Sequence, residues 1–80
     1  MARRYDPDTI AYVIIFARRL REARAASGLT HARLAQRAGL HHTEISKLER
    51  ALTDPRLSTV MRLAYGLRIP ASTLVEDRAG

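Results

Sequence analysis

Cysteine is absent from the chain, which removes a disulfide framework, a thiolate zinc site and a cysteine nucleophile together, and nothing marks the chain as secreted. Long apolar runs are missing too. The longest, Ile10 to Ala17, falls far short of the roughly 20 residues that span a bilayer, and no small-residue cleavage pattern follows it. The expected protein is soluble, has no membrane partner and works in the cytoplasm. Acidic residues are few: eight Asp and Glu stand against 14 Lys and Arg, a net charge of +6. Such an excess steers a protein towards polyanions through long-range attraction and counterion release, although a merely solvated basic surface has the same composition. Segments of alternating β pattern, repeats and low-complexity tracts are also lacking.

What the sequence does contain is helical periodicity. With 46% apolar and 28% charged residues over 80 positions, it reads as one globular domain, of a size that buries only about 60% of its extended surface. After a basic start, capping-type Asp6, Asp8 and Thr9 around Pro7 open a first helix over 9–27. Its inner stripe is expected to be Ile10, Val13, Ile14, Ala17 and Leu20, and Ser27-Gly28 should stop it. Thr30 caps a short second helix with Leu34, Ala35 and Ala38 on one side. Gly39 ends that helix, and Leu40 plugs the turn. In a third helix, from His42 to Arg50, Ile45 and Leu48 face one way and His42, Thr43, Ser46, Lys47 and Arg50 the other. Thr53-Asp54-Pro55 is turn chemistry. A fourth helix then starts at Ser58 or Thr59 with Val60, Leu63, Ala64 and Leu67 inward. Ile69-Pro70 breaks it, and a last helix over 71–76 points Leu74 and Val75 inward. The expectation is an all-α, five-helix domain over 1–80: a basic arm over 1–8, two short helices joined by a glycine turn over 30–50, two more helices over 58–76 and a fraying tail over 77–80.

Two short helices about a glycine turn, the second with an outward polar and basic face, meet the demands of a helix-turn-helix reader. The DNA major groove is about 12 Å wide, accepts one helix and shows a distinct donor and acceptor pattern for each base pair. The particular residues go further. Leu20-Arg21-Glu22-Ala23-Arg24, Ser27-Gly28-Leu29-Thr30, Leu34-Ala35, Ala38-Gly39-Leu40, Ile45-Ser46 and Glu49-Arg50 resemble, as a set, the Cro/CI-type or Xre helix-turn-helix family of phage repressors and bacterial regulators. Pro55 to Val60, Leu63-Ala64 and Leu67 to Pro70 extend the likeness through the last two helices.

That resemblance implies a lambda-repressor-like fold with an extended first helix and double-stranded DNA as the partner. It places His42, Thr43 and Lys47 at base-reading positions, with Glu44 and Ser46 beside them. Lys47 would donate to guanine O6 or N7, Thr43 would offer a hydroxyl or a methyl to thymine, and His42 would donate or accept according to protonation. Thr30, His31 and Arg50 would flank the DNA backbone. His31 stands where many members carry a phosphate-binding glutamine, a departure from the pattern. Arg24 and Glu49 match positions that form a largely buried ion pair between the first and third helices in some members.

Other features have two readings each. Arg3 and Arg4 form either an arm that reaches DNA or simple disorder. Arg18, Arg19 and Arg21 are read as solvated surface, with one or two near phosphate. His31, His41 and His42 lack the further ligands of a coordination shell, so no metal and no cofactor is expected. Glu49 has no nucleophile or metal partner in sequence, and no enzymatic activity is expected. Against the family pattern the first helix should begin near Ile15, so Asp8 to Ile14 is an added extension. Tyr12, Ile14 and Ile15 spread over too wide an arc for one small core. The extension either meets a second subunit or packs on its own fifth helix.

The leading functional expectation is a homodimeric transcriptional regulator on a palindromic operator, located with the nucleoid. Its two third helices would enter successive major grooves about 34 Å apart. A restriction-modification controller, an autoregulating antitoxin bound to its toxin, and an adaptor that has lost DNA binding are the alternatives. A toxin or RNA polymerase is the candidate protein partner.

Overall fold

The computed structural model describes residues 6–76, which form five helices: α1 (Pro7–Ala26), α2 (His31–Ala38), α3 (His42–Glu49), α4 (Leu57–Leu67) and α5 (Ser72–Val75). The arm residues Arg3 and Arg4 and the tail over 77–80 lie outside the described residues.

Local chemistry sets the boundaries. Asp6 caps α1 by accepting from the Thr9 amide at 2.8 Å, with Pro7 in the first turn where its missing N–H costs nothing. That amide bond, joined by the Thr9 hydroxyl, holds the Asp6 carboxyl below its ordinary value. Thr30 caps α2 by accepting from the Arg33 amide at 3.1 Å. Gly39 then takes the left-handed conformation at φ 70°, which returns the Leu40 amide to the Ala35 carbonyl at 2.9 Å and turns the chain directly into α3. The fourth helix begins at Leu57, one residue before Ser58, and no side chain caps it.

The phase of α1 differs from the expected stripe. Val13, Phe16, Ala17 and Leu20 are buried, whereas Ile10 and Ile14 stay 47% and 52% exposed. Both sets have helical spacing, and the unbroken apolar run from Tyr12 to Phe16 gives the sequence no polar residue to fix the phase; the bulkier Phe16 fills the core instead. At the other end α5 is shorter than expected. Leu74 is fully buried, but Val75 is 55% exposed and does not point inward. One turn of helix can present only one such residue to a neighbour.

The core lies where α1 crosses α3 and α5, and where α2 packs on α3 and α4. Leu20, Leu34, Ile45, Leu48, Leu63 and Leu74 are its fully enclosed side chains. Burying one such leucine contributes about 1.5 to 3 kcal/mol. The α2 and α4 backbones approach closely at Gly66, where an added Cβ would stand 3.3 Å from the Ala38 nitrogen. No described helix is long and apolar enough to cross a membrane.

Candidate nucleic-acid interface

The turn at Gly39 presents α3 edge-on. Ile45 and Leu48 are completely buried on its inner side and anchor it. From the opposite side His42, Thr43, Lys47 and Arg50 are exposed, and Glu44 and Ser46 are half-buried. The structure thus brings His42, Thr43 and Lys47 to one outward face in the first five to six residues of the helix, where side chains have the longest reach into a groove.

His41 is the N-cap of α3. Its Nδ1 accepts from the Thr43 amide at 3.3 Å and lies 2.8 Å from the Thr43 Oγ1. The His41 and His42 rings stack, with centroids 4.7 Å apart and planes inclined by 26°. Glu44 stands in the first turn, where the helix dipole favours a carboxylate. At the far end the Arg50 guanidinium turns back to the Ser46 carbonyl at 3.4 Å.

Behind this face Glu49 gathers three elements. Its carboxylate is 5% exposed and accepts from Arg24 twice, Nε to Oε2 at 2.6 Å and Nη2 to Oε1 at 3.0 Å. Arg24 spends its remaining nitrogen on the Leu29 carbonyl at 2.9 Å. His31 Nε2 approaches the same Oε1 at 3.0 Å, so the histidine expected at the DNA backbone is tied into this cluster from the first residue of α2. Burial alone would push the Glu49 carboxyl up; the bonds from Arg24 and then His31 outweigh it and hold the group below its ordinary value. No buried side-chain nitrogen or oxygen among the described residues lacks a partner.

Arg21 lies at the exposed surface, as expected, but its head group is engaged. Its Nη1 donates to the Glu49 carbonyl at 2.6 Å and so satisfies one of the open carbonyls at the end of α3. Sequence could not reveal this contact, which joins residues 28 apart. Two further features left no mark in the sequence. Ala51 and Arg68 end α3 and α4 in the left-handed conformation, at φ 58° and 59°, without the glycine that usually signals it. Arg19 Nε donates to the Glu76 carbonyl at 3.0 Å and ties α1 to the end of α5.

The residues of the extension do not share one surface. Tyr12, 66% exposed, lines an apolar groove of about 340 Å³ with Phe16, Leu57, Val60 and Val75. Ile14 is exposed outside that groove, and Ile15 is half-buried. The extension is continuous with α1 and so belongs to the helix that packs on α5. Among the described residues no group of three or more His, Cys, Asp or Glu side chains converges as a metal site would require.

Comparison with known proteins places this geometry. A family model described as a helix-turn-helix domain matches residues 15–76, beginning where the extension ends. Among solved structures, the restriction-modification controller protein C.AhdI from Aeromonas hydrophila is 34% identical; the match covers 80% of this chain and 97% of that one with a TM-score of 0.77. The hypothetical transcription factor NHTF from Neisseria is 26% identical, with 95% and 87% covered and a TM-score of 0.79. An HTH_3 family transcriptional regulator from Vibrio cholerae, 24% identical, shares the fold with a TM-score of 0.80 over 82% of this chain and 37% of its own. No curated protein sequence matches.

Proposed function

Because the chain belongs to the helix-turn-helix domain family, in its Cro/CI-type branch, we propose that it is a sequence-specific transcriptional regulator that binds a palindromic double-stranded DNA operator as a homodimer. The observation that carries this reading is α3 itself. It is fixed from behind by Ile45, Leu48 and the Arg24–Glu49 pair, and it offers a polar and basic face that no other described helix covers. A helix held this firmly loses little freedom on entering a groove, so base contacts act with their full discrimination.

In this reading Lys47 donates to guanine O6 or N7, and His42 and Thr43 meet the neighbouring bases. Arg50 and the exposed start of α2 lie against phosphate, where the amides of a helix N-terminus add to the attraction. The net charge of +6 draws the chain to DNA and makes affinity fall steeply with salt. Two copies double the readout of a module that alone covers little DNA. Of the extension residues Tyr12, Ile14 and Ile15, the exposed Tyr12 with the apolar groove it lines is proposed as the surface where the copies meet, Ile14 lying on another side of the helix.

A narrower reading, a restriction-modification controller, is favoured by one observation. The relative so described is 34% identical and is covered over 97% of its length.

Selection of binding sequences from randomised duplex DNA tests the main reading. Enrichment of a pseudo-palindrome with half-sites about one helical turn apart is expected, and the absence of any enriched sequence would overturn it. A chain that sediments as a monomer at micromolar concentration with and without the selected duplex would remove the homodimer.

A further inference from the structure

We infer that His41 sets the polarity of the Thr43 hydroxyl, making residue 43 a hydrogen-bond acceptor that selects a base with an exocyclic amino group, adenine or cytosine, and rejects guanine. The inference rests on α3 reading DNA and specifies what one position of that reader recognises.

Two contacts on one nitrogen lead to it. The Thr43 backbone amide, which can only donate, reaches His41 Nδ1 at 3.3 Å. Nδ1 must therefore carry its lone pair, and the proton of the neutral ring sits on Nε2. The Thr43 Oγ1 lies 2.8 Å from the same atom. Two acceptors at that distance would repel, so the hydroxyl gives its one hydrogen to Nδ1. What Thr43 has left to show the groove is oxygen lone pairs and a methyl group.

Capping resists the ring flip that would undo this arrangement, since turning Nδ1 away would orphan the Thr43 amide in the first turn of α3; the stack on His42 holds the plane of the ring.

In the major groove, adenine N6 and cytosine N4 are donors, whereas guanine presents only the acceptors N7 and O6. An acceptor-only Thr43 therefore pairs with an amino group and finds no partner on guanine. An A·T pair suits it doubly, because the adenine amino group can meet Oγ1 while the thymine methyl packs on the threonine methyl. A freely rotating threonine could donate to guanine equally well and would read little. His41, which does not itself need to touch DNA, is thus a positioning residue for specificity.

The test combines sequence selection with a measurement on the protein alone. The base pair met by residue 43 is the one whose preference moves in Thr43→Val, which keeps the branched shape and loses the hydroxyl. In the unsubstituted chain that position should favour adenine or cytosine over guanine by about fivefold, the scale of one net neutral hydrogen bond. His41→Ala should bring the ratio close to one. His41→Asn should restore it, since its Oδ1 occupies the place of Nδ1 and can only accept. Nitrogen-15 spectra of the DNA-free protein, at a pH where the ring is neutral, should show His41 protonated at Nε2 and bare at Nδ1. If His41→Ala binds too weakly to be read, His41→Asn and the spectra decide. A proton on Nδ1, a preference for guanine at that position, or a preference indifferent to Thr43→Val and to both His41 variants would overturn the inference while leaving α3 a DNA reader. If no sequence is enriched at all, the DNA-reading proposal fails and this inference fails with it.

Discussion

Arg24 and Glu49 meet in a two-pronged ion pair, Nε to Oε2 at 2.6 Å and Nη2 to Oε1 at 3.0 Å, which joins the last turn of α1 to the last residue of α3. The fork of the guanidinium matches the two carboxylate oxygens, a geometry that lysine cannot reproduce. With His31 on the same carboxylate and Arg21 on the carbonyl of the same residue, the end of α3 is held through one residue by α1 and α2 together.

Truncation of Glu49 should therefore be costly. Glu49→Ala leaves the half-buried Arg24 guanidinium without its counter-charge, and a loss of about 3 kcal/mol in unfolding free energy is expected from urea titration. Arg24→Lys should cost less, because a charge remains but the fork is gone. A loss below about 1 kcal/mol for Glu49→Ala would mean that the pair is solvated rather than structural.

Acid should weaken the fold through the same group. The folded Glu49 carboxyl lies below its ordinary value of 4.5, so the unfolded chain binds the proton first as pH falls. The stabilisation is complete above about 4.5 and is lost as pH drops through the lower folded value. Urea midpoints for the native chain should decline across that range, and Glu49→Gln, already uncharged, should decline less steeply. Parallel curves for the two proteins would contradict this.

Two substitutions should stabilise the chain. Ala51 and Arg68 hold φ 58° and 59°, a conformation that strains a Cβ and suits glycine. Each ends its helix through a bond that loops back to the last turn: the Leu52 amide to the Lys47 carbonyl at 3.0 Å, and the Ile69 amide to the Ala64 carbonyl at 3.0 Å. Ala51→Gly and Arg68→Gly should each add about 0.5 to 1 kcal/mol. In a domain of this size that is a rise of roughly 2 to 8 °C in Tm, readable by circular dichroism.

On the outward face the expectation reverses, with function changing and stability not. Lys47→Ala should weaken binding to the selected duplex by about 1 to 3 kcal/mol and relax preference at a single base pair. Its Tm should stay close to that of the native chain, because exposed substitutions usually fall within about 0.5 kcal/mol. Unchanged affinity and specificity in Lys47→Ala would remove it from the reading set.

How much of this was legible depended on the range of the interaction. The helix start at Thr30 and the turn at Gly39 could be read because a cap and its target amide lie within four residues of each other, whereas three capping candidates around Pro7 left the first helix placed from 9 and the arm over 1–8, when Asp6 in fact caps a helix that starts at Pro7. The inner sides of α2, α3 and α4 could be read because polar residues interrupt their apolar stripes. In α1 five consecutive large apolar residues erased that phase signal, so Phe16 went unrecognised and Ile14 was misplaced. Val75 failed for the opposite reason, in a helix too short to have a phase. Arg21 reaches the Glu49 carbonyl across 28 residues and His31 its carboxylate across 18, and no local pattern encodes which distant acceptor a side chain will find. Residue likeness to Cro/CI-type regulators supplied the Arg24–Glu49 pairing but was silent on His31, where this chain departs from the pattern.

Between Thr9 and Ala26 the first helix contains neither proline nor glycine, the residues at which helices usually bend. Its 20 residues make a continuous spar about 30 Å long, clamped at one end to α3 through Arg24 and carrying Tyr12 and Ile14 near the other. Whatever grips those outer residues therefore sets the azimuth of α3 through a lever without a joint. One alanine inserted after Ile14 would swing the outer end through about 100° while lengthening it by only about 1.5 Å. If that end is where copies meet, the spacing between operator half-sites is written in the pitch of α1, and could be rewritten there without altering a single side chain that faces the bases.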